Sequence, residues 1–124
     1  MMAETLIADE PHLRKFQKEL NAGIISLILL AVLEKAEQEM YGYQIAKQLQ
    51  AREFGPPMVK QSALYPVLRS LSAAELLDSH VVPSVSGPPR RYYAITSKGR
   101  EALGLWIESW QRTRHMVDSV LEAG

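Results

Sequence analysis

Between Leu76 and Thr96 the apolar periodicity of the chain changes from helical to alternating, and beyond Thr96 it turns helical again. Two β-branched and aromatic runs, LLDSHVVPSV and RRYYAIT, flank the turn-forming string SGPP, which is the pattern of a β-hairpin. In the second run Arg91, Tyr93 and Ile95 alternate with Arg90, Tyr92 and Ala94, so each set takes one face. Pro83 donates no ladder hydrogen bond, which makes the first run an edge strand. An isolated hairpin is at best marginally stable in water. This one must therefore be seated on the helices around it.

Those helices are readable. Asp9-Glu10-Pro11 supplies a capping acid and then a proline where a missing N–H does no harm. From there Leu13, Phe16, Leu20, Ile24, Leu27 and Ala31 recur every three or four residues. The stretch GIISLILLAVL is apolar nearly all round, so its latter half should be buried on most sides. The earlier part, Leu13 to Leu20, is amphipathic and exceeds what a small core needs, which marks it as a partner surface. Glu37 to Met40 reads as a polar connection, and YGYQIAKQLQAR as a second helix with Ile45, Ala46 and Leu49 inward. EFGPPMVK then breaks the pattern, because Gly55-Pro56-Pro57 cannot continue a helix. A third helix is predicted from near Gln61-Ser62, with Leu64, Val67, Leu68 and Leu71 inward and Pro66 tolerated only near its first turn. Thr96 caps a last helix running to about Leu121. The sum is a mostly α chain with a small β-hairpin, a winged helix-turn-helix with helical extensions at both ends. Residues 1–10 form a flexible N-terminus, 11–96 the winged domain with its N-terminal helix, and 97–124 a C-terminal dimerisation helix.

With 124 residues and no linker, the chain holds one domain. The absence of cysteine removes disulfide scaffolds, thiolate zinc sites and cysteine nucleophiles together. The apolar run Gly23 to Leu33 is about half the ~20 residues of a membrane span, and no basic region opens the chain. A cytoplasmic protein without a membrane partner is expected. His12, His80 and His115 fall on different elements without H-x-x-x-H spacing, and no G-x-S-x-G or phosphate-binding glycine loop occurs. Glu34, Glu37 and Glu39 sit at a helix end as solvated charge. No enzyme activity, metal or cofactor is expected.

Net charge is zero, yet its distribution is uneven. Residues 60–100 carry six basic side chains (Lys60, Arg69, Arg90, Arg91, Lys98 and Arg100) against Glu75 and Asp78, while both flanks are acidic. Such asymmetry fits one segment that meets a polyanion. Lys60, Gln61 and Ser62 lie at the start of the third helix, where free backbone N–H groups favour phosphate. Tyr65 and Arg69 follow at a four-residue step, on the face opposite the leucines. Gln suits an adenine edge, Arg a guanine, and Tyr or Ser a phosphate, so this helix fits a major groove. Arg90 and Arg91, beside the Ser86-Gly87 loop, fit a wing that grips the backbone or minor groove.

The strings YGYQIAKQL, SALYPVLRSL and GPPRRYYAITSKGREAL resemble the signature of PadR-family transcriptional regulators, which are winged-helix dimeric repressors. The resemblance runs from about Gly23 to Trp110. It implies that Tyr41 and Tyr43 open the second helix, that Tyr43 and Tyr65 lie near the DNA backbone, and that Arg91 acts on the wing. It also implies that Pro66 marks the recognition helix and that Gln61 holds an operator-reading position. A single C-terminal helix resembles the short branch of the family.

On that last helix Leu103, Trp110 and Val117 fall seven apart, Trp106 and Val120 fill the intervening positions, and Ile107 and Leu121 broaden the stripe. This seam should pack with Leu13 to Leu20 of a second copy, presenting two recognition helices one DNA turn apart to a pseudo-palindromic operator. Trp106 and Trp110, one turn apart, serve either as interface packing or as an aromatic clamp for a planar hydrophobic effector. Resemblance to short, multidrug-sensing members, which use a tryptophan in an ESW-type context, implies the clamp for Trp110 in ESWQR. Two other readings share the fold: a protein-interaction module, and a ligand-sensing dimer without DNA activity.

Overall fold

The computed structural model describes residues 10–52 and 60–123. In chain order they form α1 (Pro11–Lys35), β1 (Met40–Tyr41), α2 (Gly42–Gln50), α3 (Gln61–Ala73), β2 (Leu77–Val82), β3 (Arg90–Ile95) and α4 (Ser97–Ala123). The expectations for residues 1–9 and for the break at Gly55-Pro56-Pro57 lie outside the described residues.

The capping acid of α1 is Glu10, whose carboxylate accepts the N–H of His12 at 2.9 Å and of Leu13 at 2.8 Å, with Pro11 as first helical residue. Leu29, Leu30 and Leu33 of this helix are buried against Ile45 and Ala46 of α2 and Leu64, Leu68 and Leu71 of α3. Leu76, Leu77, Tyr93 and Leu103 close the core from the sheet and α4. Each fully buried leucine contributes roughly 1.5–3 kcal/mol. Ala31 and Val32 remain half-buried, and Phe16 and Leu20 stand 58% and 40% exposed, beyond the reach of this core. By length and composition α1 is long and apolar enough to cross a membrane; here its innermost leucines are the centre of the core.

The connection after α1 contains a strand that the sequence reading missed. Met40 and Tyr41 pair antiparallel with Tyr93 and Tyr92, so the expected two-stranded hairpin is a three-stranded sheet in the order β1-β3-β2. Consequently Tyr41 belongs to β1 and precedes α2, where its N–H donates to Gln44 Oε1 at 3.1 Å. The helix starts at Gly42 and stops at Gln50, short of the predicted Arg52. β2 is an edge strand, and Pro83 follows its last residue. α3 starts at Gln61, as expected, but Pro66 does not lie in its first turn. Pro66 is the sixth residue of the helix, in its second turn, so the Ser62 carbonyl lacks the N–H that residue 66 would ordinarily supply.

One junction ties wing, α3 and α4 together. α3 ends with Glu75 in the left-handed region (φ 65°), the Leu76 N–H bonding Leu71 O at 2.9 Å and the Glu75 N–H bonding Ser72 O at 3.0 Å. Thr96 then closes on this turn. Its N–H reaches Leu76 O at 3.1 Å, its hydroxyl donates to Glu75 O at 2.8 Å, and the same oxygen caps α4 by accepting the Gly99 N–H at 2.9 Å.

Candidate nucleic-acid interface

The side chains at the start of α3 and the base of the wing converge. Lys60 occupies the cap position of α3, and its side chain makes no bond to the first turn. Gln61 follows, its Nε2 donating to the Tyr65 hydroxyl at 2.9 Å. Ser62 and Arg69 are exposed. Tyr65 corrects the sequence reading: it is half-buried, packed beside the core, and does not stand free opposite the leucines. Its ring lies against Gly42, where a Cβ would come within 2.5 Å of Cε1 and 3.1 Å of the hydroxyl oxygen. Only glycine at the start of α2 lets the two helices meet this closely.

From the other side β3 brings in the wing. The Arg90 guanidinium lies 4.6 Å from the centre of the Tyr41 ring, and Arg91 Nη1 donates to Ser79 Oγ at 3.1 Å across the β2–β3 ladder. Tyr41, Gly42, Tyr65, Arg69, Pro89, Arg90, Arg91 and Tyr93 line one cleft of about 320 Å³. Burial pushes the Tyr93 phenol above the ordinary tyrosine range, with the Arg91 and Arg69 guanidinium groups pulling it part of the way back. Among the described residues no carboxylate lies within 4.0 Å of Arg69, Arg90 or Arg91. The cleft is therefore concave, cationic and lined with tyrosines, which suits phosphate.

Four predicted residues, Tyr65, Arg69, Arg90 and Arg91, thus share one site, and Gln61 joins it through Tyr65. Tyr43 is half exposed at its margin, stacked on Tyr41 at 6.4 Å with Lys47 Nζ 5.5 Å from its ring. Lys98 is not part of the cleft; it faces Glu75 at 4.0 Å on the far side of the α3–β2 turn. Tyr41, Lys47 and Ser79 were not singled out as contact residues from the sequence. Tyr41 and Ser79 acquire their place through strand pairing, and Lys47 was visible only as one turn beyond Tyr43. Across the same sheet His80 stacks on Tyr92 and meets Glu39 at 3.1 Å. Among the described residues no three His, Asp or Glu side chains gather into a metal-binding group.

The tryptophans build a second cleft. Trp106 and Trp110 of α4, with Leu20, Gly23, Ile24 and Leu27 of α1, line about 520 Å³ between the two long helices. Trp106 packs against the core, whereas Trp110 is 39% exposed. Past them Val117, Val120 and Leu121 are exposed on the same helix.

A family model described as the transcriptional regulator PadR-like family matches residues 29–105. An uncharacterised protein of Lysinibacillus sphaericus is 30% identical over 97 residues, 78% of this chain and 86% of that protein. Among solved structures, a PadR family transcriptional regulator of Eggerthella lenta DSM 2243 matches 100% of each chain at 28% identity and a TM-score of 0.76. A PadR family transcription regulator from hypervirulent Clostridium difficile R20291 matches 80% of this chain and 99% of that one, at 28% identity and a TM-score of 0.65. The matched stretch reaches from the buried half of α1 into α4, and so takes in both helices of the helix-turn-helix and the wing: the chain belongs to the PadR-like family of transcriptional regulators, DNA-binding proteins and not enzymes.

Proposed function

We propose that this regulator is a cytoplasmic, homodimeric repressor that sits on a pseudo-palindromic operator and is released by a planar hydrophobic compound. The observation that carries the DNA contact is the cleft joining Tyr65 and Arg69 of α3 to Arg90 and Arg91 of the wing. A helix N-terminal half laid in the major groove brings Lys60, Gln61 and Ser62 to base edges and phosphates, while the wing holds the backbone. Tyr43 adds a phosphate contact from α2, and Lys98 contributes only to the general positive potential, since it faces Glu75.

The dimer rests on apolar side chains that remain exposed among the described residues. Phe16 and Leu20 of α1, and Trp110, Val117, Val120 and Leu121 of α4, lie on the two helices that extend beyond the core. Packing α1 of one copy on α4 of the other covers both sets and gives two α3 helices related by a twofold axis. The cleft at Trp106 and Trp110 then borders that interface, where a flat aromatic ligand stacks on indole and alters the packing that sets the spacing of the recognition helices.

Selection of bound oligonucleotides by the purified protein, followed by a salt titration on the selected duplex, tests the reading. A palindromic consensus and affinity falling steeply between about 50 and 200 mM salt are expected. Binding that ignores salt, or a protein that stays monomeric on sedimentation, refutes it and favours the protein-interaction alternative.

A further inference from the structure

From the bond between Gln61 and Tyr65 we infer that Tyr65 is a specificity-positioning residue, which turns a phosphate contact into a fixed orientation of the Gln61 amide and so selects adenine. This rests on the DNA-binding reading above. A glutamine amide has two faces of opposite character, an acceptor oxygen and a donor NH2, and by itself rotates freely between them. Here Nε2 is engaged by the Tyr65 hydroxyl one turn along the helix, at 2.9 Å. The phenol is held in place by its packing, because the ring lies on Gly42 and against the core, with the hydroxyl 3.1 Å from where a Gly42 Cβ would stand.

The polarity of the pair is set by what the phenol does next. Tyr65 lines the cleft with Arg69, Arg90 and Arg91, the place where a phosphate is attracted. A phosphate oxygen in this setting only accepts, so the phenol must spend its single proton on it. Toward Gln61 the phenol is then left with lone pairs alone, and the amide must present N–H to it and not oxygen. That leaves Oε1 and the second N–H directed away from Tyr65, an acceptor beside a donor. Adenine offers the complement in the major groove, a donor at N6 and an acceptor at N7. Without the phenol proton on phosphate, the amide flips at little cost and the choice of base weakens.

The test is competition binding on duplexes that differ at one base pair per half-site, with wild type, Gln61→Ala, Tyr65→Phe and the double variant. Wild type should prefer adenine at one position by roughly tenfold, and Gln61→Ala should erase that preference. Tyr65→Phe, with Gln61 still present, should reduce it to about twofold at the same position and leave the salt slope unchanged, since a phenol carries no charge. In the Gln61→Ala background, Tyr65→Phe should change nothing further in the base profile. Phenylalanine keeps the ring on Gly42, and an unchanged melting temperature separates positioning from folding. Retention of the full adenine preference by Tyr65→Phe overturns the inference while leaving DNA binding intact, as does a Gln61→Ala profile identical to wild type. A wild-type protein that binds no duplex removes the underlying reading and the inference with it.

Discussion

Replacing Gly99 with alanine tests the junction that fixes α4 to the winged unit. A Cβ at Gly99 would press on the Leu76 carbonyl oxygen, come within 2.8 Å of Ile95 Cγ1 and lie 3.1 Å from the Leu76 carbonyl carbon. The carbonyl is held in place, because it accepts the Thr96 N–H at 3.1 Å with the Thr96 hydroxyl oxygen a further neighbour at 3.1 Å. Relief requires the first turn of α4 to lift from the α3–β2 turn, loosening the cap that Thr96 provides. Overpacking against rigid atoms costs about 1–3 kcal/mol, and a weakened cap roughly 1 kcal/mol more. The better helix propensity of alanine returns up to about 1 kcal/mol. The net loss is about 2 kcal/mol, and with roughly 3–5 °C per kcal/mol for a chain of this size the melting temperature should fall by about 6–10 °C.

The control is the same substitution five residues on. A Cβ at Gly104, in the same helix, meets nothing within 4 Å, so Gly104→Ala should raise stability by up to about 1 kcal/mol. Thermal unfolding followed by far-UV circular dichroism, at equal protein concentration so that any association cancels, reads both. If the two variants shift in the same direction, or Gly99→Ala melts with the wild type, the packing argument at this junction is wrong.

Other outcomes follow from the same structure. Arg91→Ala should weaken binding to all sequences alike and lower the salt slope by about 0.9, as one lost phosphate contact requires; an unchanged slope in gel shifts takes Arg91 out of backbone contact. Phe16→Asp combined with Leu20→Asp places charge on the proposed interface and should give a monomer in sedimentation velocity without lowering helix content; an intact dimer refutes the interface. Trp110→Ala should weaken a planar dye at least tenfold, read by indole emission in the wild type and dye fluorescence in both, and an unaltered affinity assigns Trp110 to packing alone. Tyr93 has a folded-state pKa raised by burial, so its unfolded form gives up the proton first. Stability is therefore full below the ordinary tyrosine value of about 10 and is lost as pH rises through it toward the folded value. Urea midpoints across that window should drop more for wild type than for Tyr93→Phe, and parallel curves contradict the assignment.

Local pattern carried most of the fold. Leu64, Leu68 and Leu71 sit at helical spacing and are buried, and the alternating run around Tyr93 is the central strand. β1 was invisible because two residues have no period, and its partners Tyr92 and Tyr93 lie some fifty positions away in the chain. The same kind of distance explains Tyr65. A helical wheel sets it apart from the leucines, and only the approach of Gly42 from α2 brings it into the half-buried cleft. Charge counting had the opposite weakness: it grouped Lys98 with the basic segment, although composition says nothing of direction and the side chain meets Glu75. On α4, Trp106 and Trp110 fall on one stripe, and the structure separates them because only the first reaches the core.

In the proposed DNA contact, a chain of zero net charge would meet a polyanion through cations held by neutral groups. Lys98 and Arg114 face carboxylates of Glu75 and Asp118, which offset part of their charge locally. The wing cations of the cleft are steadied by neutral groups instead, Arg90 by the Tyr41 ring and Arg91 by the Ser79 hydroxyl, and at the margin Lys47 lies over the Tyr43 ring. A free arginine loses about 2 kcal/mol of rotamer entropy when it is fixed on a ligand. Partial ordering on an aromatic face or a hydroxyl reduces that loss before the phosphate arrives, and it leaves the full positive charge to meet it. A carboxylate partner would order the side chain equally well but would have to be displaced or would cancel the field. The tyrosines of β1 and α2 are thus part of the electrostatics of the site without carrying charge, which is why a count of ionisable residues understates what this surface can bind.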